Sequence, residues 1–73
     1  MFDLSLLKPA MKVVDHDGIH VGTIESVEEG CLRLTRGDSV DGLHHFIYFD
    51  SLDRIDSDRV LLTRDAQIPV GVR

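Results

Sequence analysis

The sequence has 73 residues, with 13 acidic and 8 basic side chains, a formal net charge of −5 and a hydrophobic content of 42%. This length allows one domain, and the hydrophobic content argues against global disorder. The acidic balance, without any cluster of Lys or Arg, argues against nucleic-acid binding, because phosphate recognition needs a positive field. No apolar run approaches the roughly 20 residues of a membrane-spanning helix, so we predict no membrane association.

Cysteine content and the N-terminal residues indicate a compartment. Cys31 is the only cysteine, so the chain cannot form an intramolecular disulfide, which fits a reducing environment. The stretch MFDLSLLKPAM lacks the basic region and the long apolar run of a signal peptide. We therefore predict a cytoplasmic protein.

The first third of the chain predicts an arm or a short helix, followed by two strands. Pro9 restricts the residue before it to extended backbone, so a helix within residues 1–7 would end there. MKVVD predicts a short strand and IHVGTIESVEEG a longer one. Between them DHDG predicts a turn, because Asp side chains bond their own backbone and Gly18 supplies positive φ. Gly22, inside the second strand, predicts a bulge or a sharp bend.

Three more strands are predicted in the remainder of the chain. CLRLT alternates so that Leu32 and Leu34 face one side, which is typical of a half-buried strand. HHFIYF predicts a fourth strand. RVLLT predicts a fifth, with Val60 and Leu62 on one face.

The acidic segment DSLDRIDSD lies between the fourth and fifth predicted strands. Its Leu52 and Ile55 are three residues apart, which predicts a single helical turn or a tight corner. Its charges predict a solvated corner with weak ion pairs. We expect this corner to affect the specificity of an interaction more than its affinity.

Five short strands separated by turns favour a small antiparallel barrel or sandwich. We predict an all-β, five-stranded antiparallel barrel that is strongly bent and SH3-like. It would form one domain over residues 1–73, with a core at about 8–65, an arm or helix at 1–7 and a tail at 66–73.

Both faces of the predicted strand HHFIYF are apolar. Successive side chains in a strand point to opposite faces, so Ile47 and Phe49 share one face while Phe46 and Tyr48 share the other. A small barrel buries one face of a strand, and we expect Ile47 and Phe49 to face inward. Phe46 and Tyr48 then form an exposed apolar surface. We predict a homodimer interface made of this surface and of apolar residues in the N-terminal arm: Phe46, Tyr48, Phe2 and Leu6.

Four histidines are the candidates for a metal site: His16, His20, His44 and His45. Zinc takes three or four ligands, usually at recognisable spacings, and the sequence contains no CxxC, HExxH or HxH. His16 and His20 flank a turn and can meet across it, whereas His44 and His45 point to opposite faces of a strand. Solvated histidines are the favoured interpretation, so we predict no metal and no cofactor.

Nucleophilic and phosphate-binding motifs are missing from the sequence. Cys31 lacks the context of an activated thiolate, and no serine stands in a GxSxG elbow. The glycines do not form a phosphate-binding loop. We predict a non-enzymatic protein-interaction or assembly module that self-associates. The alternatives are a metal- or small-ligand-binding protein that uses the histidines, and an RNA- or ribosome-linked accessory protein.

The order of these features resembles a family of short bacterial proteins of unknown function with a PRC-barrel-like core. The segments that carry the resemblance are MKVVDHDGIHVGTIESVEEG, LRLTRGDS.DG.HHFI and D.LDRIDSDRVLLTR, where a dot is an unmatched position. After HHFI that family tends toward Pro-Leu-Asp-Trp-Val, whereas this chain has YFDSL. The resemblance implies a small, strongly bent barrel. It also implies a docking role, since PRC-barrel relatives act in ribosome maturation, photosynthetic complexes and archaeal division.

Overall fold

A computed structural model describes residues 4–37 and 42–66 of the chain. Its strands are β1 Lys12–Val14, β2 His20–Glu28, β3 Cys31–Leu34, β4 Phe46–Tyr48, β5 Leu52–Asp56 and β6 Arg59–Leu62. Two short 3₁₀ helices, Leu4–Leu6 and Phe49–Ser51, precede β1 and β5. The predicted all-β class is confirmed. Within the described ranges, no helix has the length and apolar character needed to cross a membrane.

The six strands form one sheet in the order β4-β3-β2-β1-β6-β5. The pairing of β1 with β6 is parallel, and the other pairings are antiparallel. The sheet therefore differs from the predicted five antiparallel strands in two ways. The acidic segment contributes the additional strand β5, and the first and last strands pair in parallel. Since β4 and β5 occupy the two edges, the hydrogen bonding of the described residues defines an open, mixed sheet.

The turn between β1 and β2 is organised by the buried side chain of Asp15. Its Oδ1 accepts hydrogen bonds from the backbone N–H groups of Asp17 and Ile19, both at 2.9 Å. The N–H of Asp15 donates to the Ile19 carbonyl oxygen, also at 2.9 Å. Gly18 has a φ of +83°, which a residue with a side chain rarely adopts. The turn predicted from DHDG is thus confirmed together with its mechanism.

β2 is the strand that both halves of the sheet share. Its residues 20–23 pair with β1, and its residues 24–28 pair with β3. Near the junction, a Cβ placed on Gly22 would stand 2.9 Å from Cδ1 of Leu34, so only glycine leaves room for this leucine. The register between β1 and β2 also shifts beside Gly22. The predicted irregularity at Gly22 is confirmed.

One cluster of buried side chains draws on every strand. The cluster consists of Leu7, Val13, Val21, Ile24, Leu32, Leu34, Ile47, Leu52, Val60 and Leu62. The inward positions predicted for Leu32, Leu34, Val60 and Leu62 are confirmed. A single core that contacts strands from both edges requires an inner face that is concave.

The link between β4 and β5 shows independently that the sheet is curved. These strands lie at opposite edges, yet only the 3₁₀ helix Phe49–Ser51 joins them. Such a link reaches across at most about 14 Å of extended chain. In a flat sheet of this width the edges would be about 24 Å apart. The two edges therefore approach each other at the end where this link runs.

The two faces of the central strands are both covered. Val14 and Leu61 are register partners across β1 and β6, and both are buried although they alternate with the core residues Val13 and Val60. At β4 only one face is covered, as described below. The centre of the sheet is thus buried on both faces, whereas its β4 edge is buried on one face only.

We expect Gly22→Ala to destabilise the fold. The added methyl group meets Leu34, which is fully buried and cannot swing into solvent, and overpacking of this kind costs about 1–3 kcal/mol. Urea unfolding measures the loss. Adding Leu34→Val removes the crowded methyl group. The double variant should therefore lose less free energy of unfolding than the two single variants lose in sum. A Gly22→Ala protein as stable as the native chain would contradict this explanation.

Asp15→Ala should also lower the free energy of unfolding. It removes the acceptor of two backbone N–H groups, and an orphaned, partly buried donor costs about 1–3 kcal/mol. Asp15→Asn keeps an acceptor oxygen and should lose less, while Asp17→Ala, in the same turn, serves as the exposed control. Thermal unfolding of the three variants makes the comparison. Equal stability of the Asp15→Ala and Asp17→Ala proteins would show that the turn does not depend on this carboxylate.

Candidate interaction surface

β4 turns one side chain to the core and two to solvent. Ile47 is 1% exposed, whereas Phe46 is 44% and Tyr48 is 66% exposed. Phe49, which follows in the 3₁₀ helix, is half-buried and packs against the core cluster. The inward positions predicted for Ile47 and Phe49 agree with this arrangement. Two aromatic side chains are therefore exposed on one face of an edge strand.

The neighbouring strand β3 completes this exposed face. Residues directly opposite each other in an antiparallel pair share a face, and the register places Cys31 beside Tyr48 and Arg33 beside Phe46. We call these four residues, Cys31, Arg33, Phe46 and Tyr48, the β4 outer surface. Cys31 is a free, half-buried thiol, and the guanidinium of Arg33 lies at the side nearer β2. The surface thus combines two aromatic rings with one cation.

A bulge in β2 directs a carboxylate toward the β4 outer surface. The register of β2 on β3 shifts between Ile24 and Ser26, so the ladder skips Glu25. Oε2 of Glu25 lies 3.1 Å from Nε of Arg33. This Nε is buried without a hydrogen bond of acceptable angle, so the contact is between charges rather than a directed bond. Both side chains are about two-fifths exposed, so the pair adds little stability but holds Arg33 in place.

The two histidines before β4 fix the way the chain enters the strand. Nδ1 of His44 lies 3.0 Å from the carbonyl oxygen of Leu34 and 3.6 Å from Oε2 of Glu25. Because a carbonyl only accepts, the Nδ1–H of His44 donates this hydrogen bond. The N–H of Leu34 in turn donates to the carbonyl oxygen of His45 at 2.8 Å. The predicted strand HHFIYF therefore begins two residues later, and both histidines belong to its approach.

The structure does not assemble the histidines into a ligand set. Nε2 of His16 lies 3.4 Å from Oδ2 of Asp17, at the exposed β1–β2 turn. His20 starts β2 on the other side of that turn, and His44 bonds the backbone of β3. Across residues 4–37 and 42–66, no three His, Cys, Asp or Glu side chains lie close enough to hold a metal ion.

The arm residues predicted for the interface are placed differently from Phe46 and Tyr48. Leu6 is exposed and lines a shallow groove of about 270 Å³ with Lys8, Met11, Ile55, Ser57 and Asp58. None of these residues belongs to β3 or β4, so the structure groups Leu6 with the β5–β6 hairpin. Phe2 lies outside the described residues.

Three exposed apolar residues escaped the sequence interpretation: Ile19, Val27 and Leu43. Leu43 is the one closest to β4 along the chain. An apolar residue in a polar loop, directly before the histidines, was the sequence feature that could have predicted its exposure. Val27 is opposite the buried Leu32 yet remains partly exposed toward the end of β2. Ile19 lies in the β1–β2 turn and is 53% exposed, which makes it a useful comparison for Phe46 and Tyr48.

Comparison with known proteins gives one result. The model of a family described as "Uncharacterized protein conserved in bacteria (DUF2171)" matches residues 7–68, which covers all six strands. No curated protein and no solved structure matches the chain.

We expect zinc to leave the thermal stability of the protein unchanged. A ligand at one hundred times its dissociation constant stabilises a folded protein by about 2.7 kcal/mol, which a thermal scan detects. The scan would compare chelator-treated and desalted protein with and without an excess of Zn²⁺, with Mg²⁺ as a control. A rise in Tm with Zn²⁺ that His16→Ala or His44→Ala abolishes would contradict this expectation and restore the metal-binding alternative.

Proposed function

The chain belongs to the bacterial family of uncharacterized proteins whose model matches it, and we propose that it is a non-enzymatic, cytoplasmic interaction module that self-associates as a homodimer. The β4 outer surface is the contact site. The observation that carries this proposal is the exposure of Phe46 and Tyr48 side by side on an edge strand whose other face is buried.

Aromatic exposure of this kind favours binding to a protein over catalysis. Tyr and Phe are enriched in protein interfaces, where they bury a large area at a low cost in conformational entropy. Around them stand a guanidinium and a carboxylate that already neutralise each other, Arg33 and Glu25. Such a pair at the rim directs the orientation of a partner more than it adds affinity.

We further propose that the curved sheet is a small, incompletely closed barrel of the PRC type, in which the edge strands β4 and β5 approach each other but do not pair. The short link between the edge strands and the single core that contacts all six strands both support a sheet that curls on itself. PRC-barrel relatives are docking and assembly modules, and that analogy is consistent with an interaction role. The segment YFDSL, where this chain departs from the resemblance, begins within β4 and runs through the 3₁₀ helix. Of the β4 outer surface it contains Tyr48 alone.

Replacing both aromatic residues tests the proposal. We expect the native chain to have a solution mass of twice 8.2 kDa by light scattering, and the Phe46→Ser/Tyr48→Ser variant to have the mass of one chain. Both residues are exposed, so the loss of their apolar area in the dimer, rather than unfolding, should produce the change.

The matched control is Ile19→Ser, which removes an equally exposed apolar side chain from the distant β1–β2 turn. It should leave the dimer intact. A native chain that stays monomeric at the highest accessible concentration would overturn the proposal. So would an Ile19→Ser protein that dissociates as readily as the double variant.

A further inference from the structure

The two edges of the sheet differ in how well they are protected against pairing with another strand. Strand β5 has a register irregularity between Leu52 and Arg54 and exposes the charged residues Asp53, Arg54 and Asp56. Bulges and charges are the devices that discourage strand addition. Strand β4 consists of Phe46, Ile47 and Tyr48, without a charge, a proline or a register shift on β3. The open edge at β4 is the unprotected one.

The hydrogen bonds that flank β4 show which of its backbone groups face outward. The N–H of Leu34 donates to the carbonyl oxygen of His45, and the N–H of Phe49 donates to that of Gly30. Bonded pairs alternate along an antiparallel ladder, so Ile47, opposite Leu32, directs its N–H and C=O toward β3. Phe46 therefore directs its N–H and C=O toward the open edge, and Tyr48 directs its N–H there. The C=O of Tyr48, as the N-cap residue, accepts the first hydrogen bond of the 3₁₀ helix Phe49–Ser51.

We propose that two copies of the chain associate by pairing their β4 strands antiparallel, with Ile47 on the two-fold axis. This inference rests on the proposed homodimer and names its geometry. In this register Phe46 pairs with the partner's Tyr48 in both directions, and the N–H of each Tyr48 donates to the C=O of the opposite Phe46. The aromatic side chains of each pair lie directly opposite on one face, which is a stabilising cross-strand contact. The two sheets become one continuous sheet.

A second copy fits this edge because the edge is complementary to itself. The outward groups stand symmetrically on either side of Ile47, which is the requirement for an isologous two-fold contact. The distribution of charge also favours contact at this edge. Two chains of net charge −5 repel each other, and Gly42 to Phe49 is the longest run without Asp, Glu, Lys or Arg.

Proline at position 48 separates strand pairing from a contact between side-chain faces. Tyr48 has a φ of −75°, which proline adopts, and its N–H is not used by β3, so Tyr48→Pro should keep the fold of the monomer. Tyr48→Ala removes the same aromatic ring but keeps the N–H. We expect Tyr48→Pro to raise the dimer dissociation constant at least about tenfold above that of Tyr48→Ala, with equal circular dichroism for both. Equal dissociation constants would overturn strand pairing.

Amide hydrogen exchange of the native chain tests the same inference without a substitution. The amide of Tyr48 should become protected as the concentration rises through the dissociation constant, whereas the amide of Ile47 should be protected throughout. A dimer in which the Tyr48 amide exchanges freely would overturn the strand pairing and leave the proposed homodimer standing. A chain that never dimerises would overturn both.

Discussion

The fold depends on β2, the strand that both halves of the sheet share, and on the room that Gly22 leaves there for Leu34. One half of β2 pairs with β1 and the other half with β3, so β2 carries the sheet from one side of the core to the other. A chain of this size buries a small fraction of its surface as a flat sheet. With Leu34 of β3 packed against the backbone of Gly22 in β2, strands from both edges contribute to one core.

The curvature of the sheet accounts for the uneven burial of β4. Ile47 reaches the core from the edge of the sheet, and the chain then passes through a three-residue 3₁₀ helix to the opposite edge. Because β4 is an edge strand with its inner face occupied, its outer side chains have no second layer to cover them. The irregularity at Glu25 adds a carboxylate beside Arg33, so the exposed aromatic pair stands next to a neutralised charge pair. The candidate surface is a consequence of the bent sheet rather than a separate addition to it.

Local patterns in the sequence predicted most strands and the inward side of β3, β4 and β6. Alternation identified Leu32, Leu34 and Ile47, and the turn chemistry identified Asp15 with Gly18. The spacing of Leu52 and Ile55 predicted a helical turn or a corner, whereas both residues lie in β5. The reason is a register shift in β5 that inserts one residue between them. Two positions three apart can then face the same side of a strand, as in a helical turn.

Long-range features lay beyond the reach of those patterns. The parallel pairing of β1 with β6 joins segments far apart in the chain and has no local signature. The bonds of His44 to the carbonyl group of Leu34 and of His45 to its N–H depend on where the loop ends relative to β3. Only the assembled sheet shows that these histidines precede the strand, and that Leu6 belongs to a groove beside the β5–β6 hairpin.

The parallel contact between β1 and β6 also governs how the chain acquires its structure during synthesis. The earliest strand in the described chain is completed in the middle of the sheet by the latest one, with four strands formed between them. Topologies dominated by such distant contacts fold slowly, because the chain loses the entropy of closing a long loop before the strand pairing stabilises it. During synthesis, the side of β1 that pairs with β6 therefore has no partner strand until Arg59–Leu62 has left the ribosome. The antiparallel unit β1–β2–β3–β4, which is continuous along the chain, is the part that can form first.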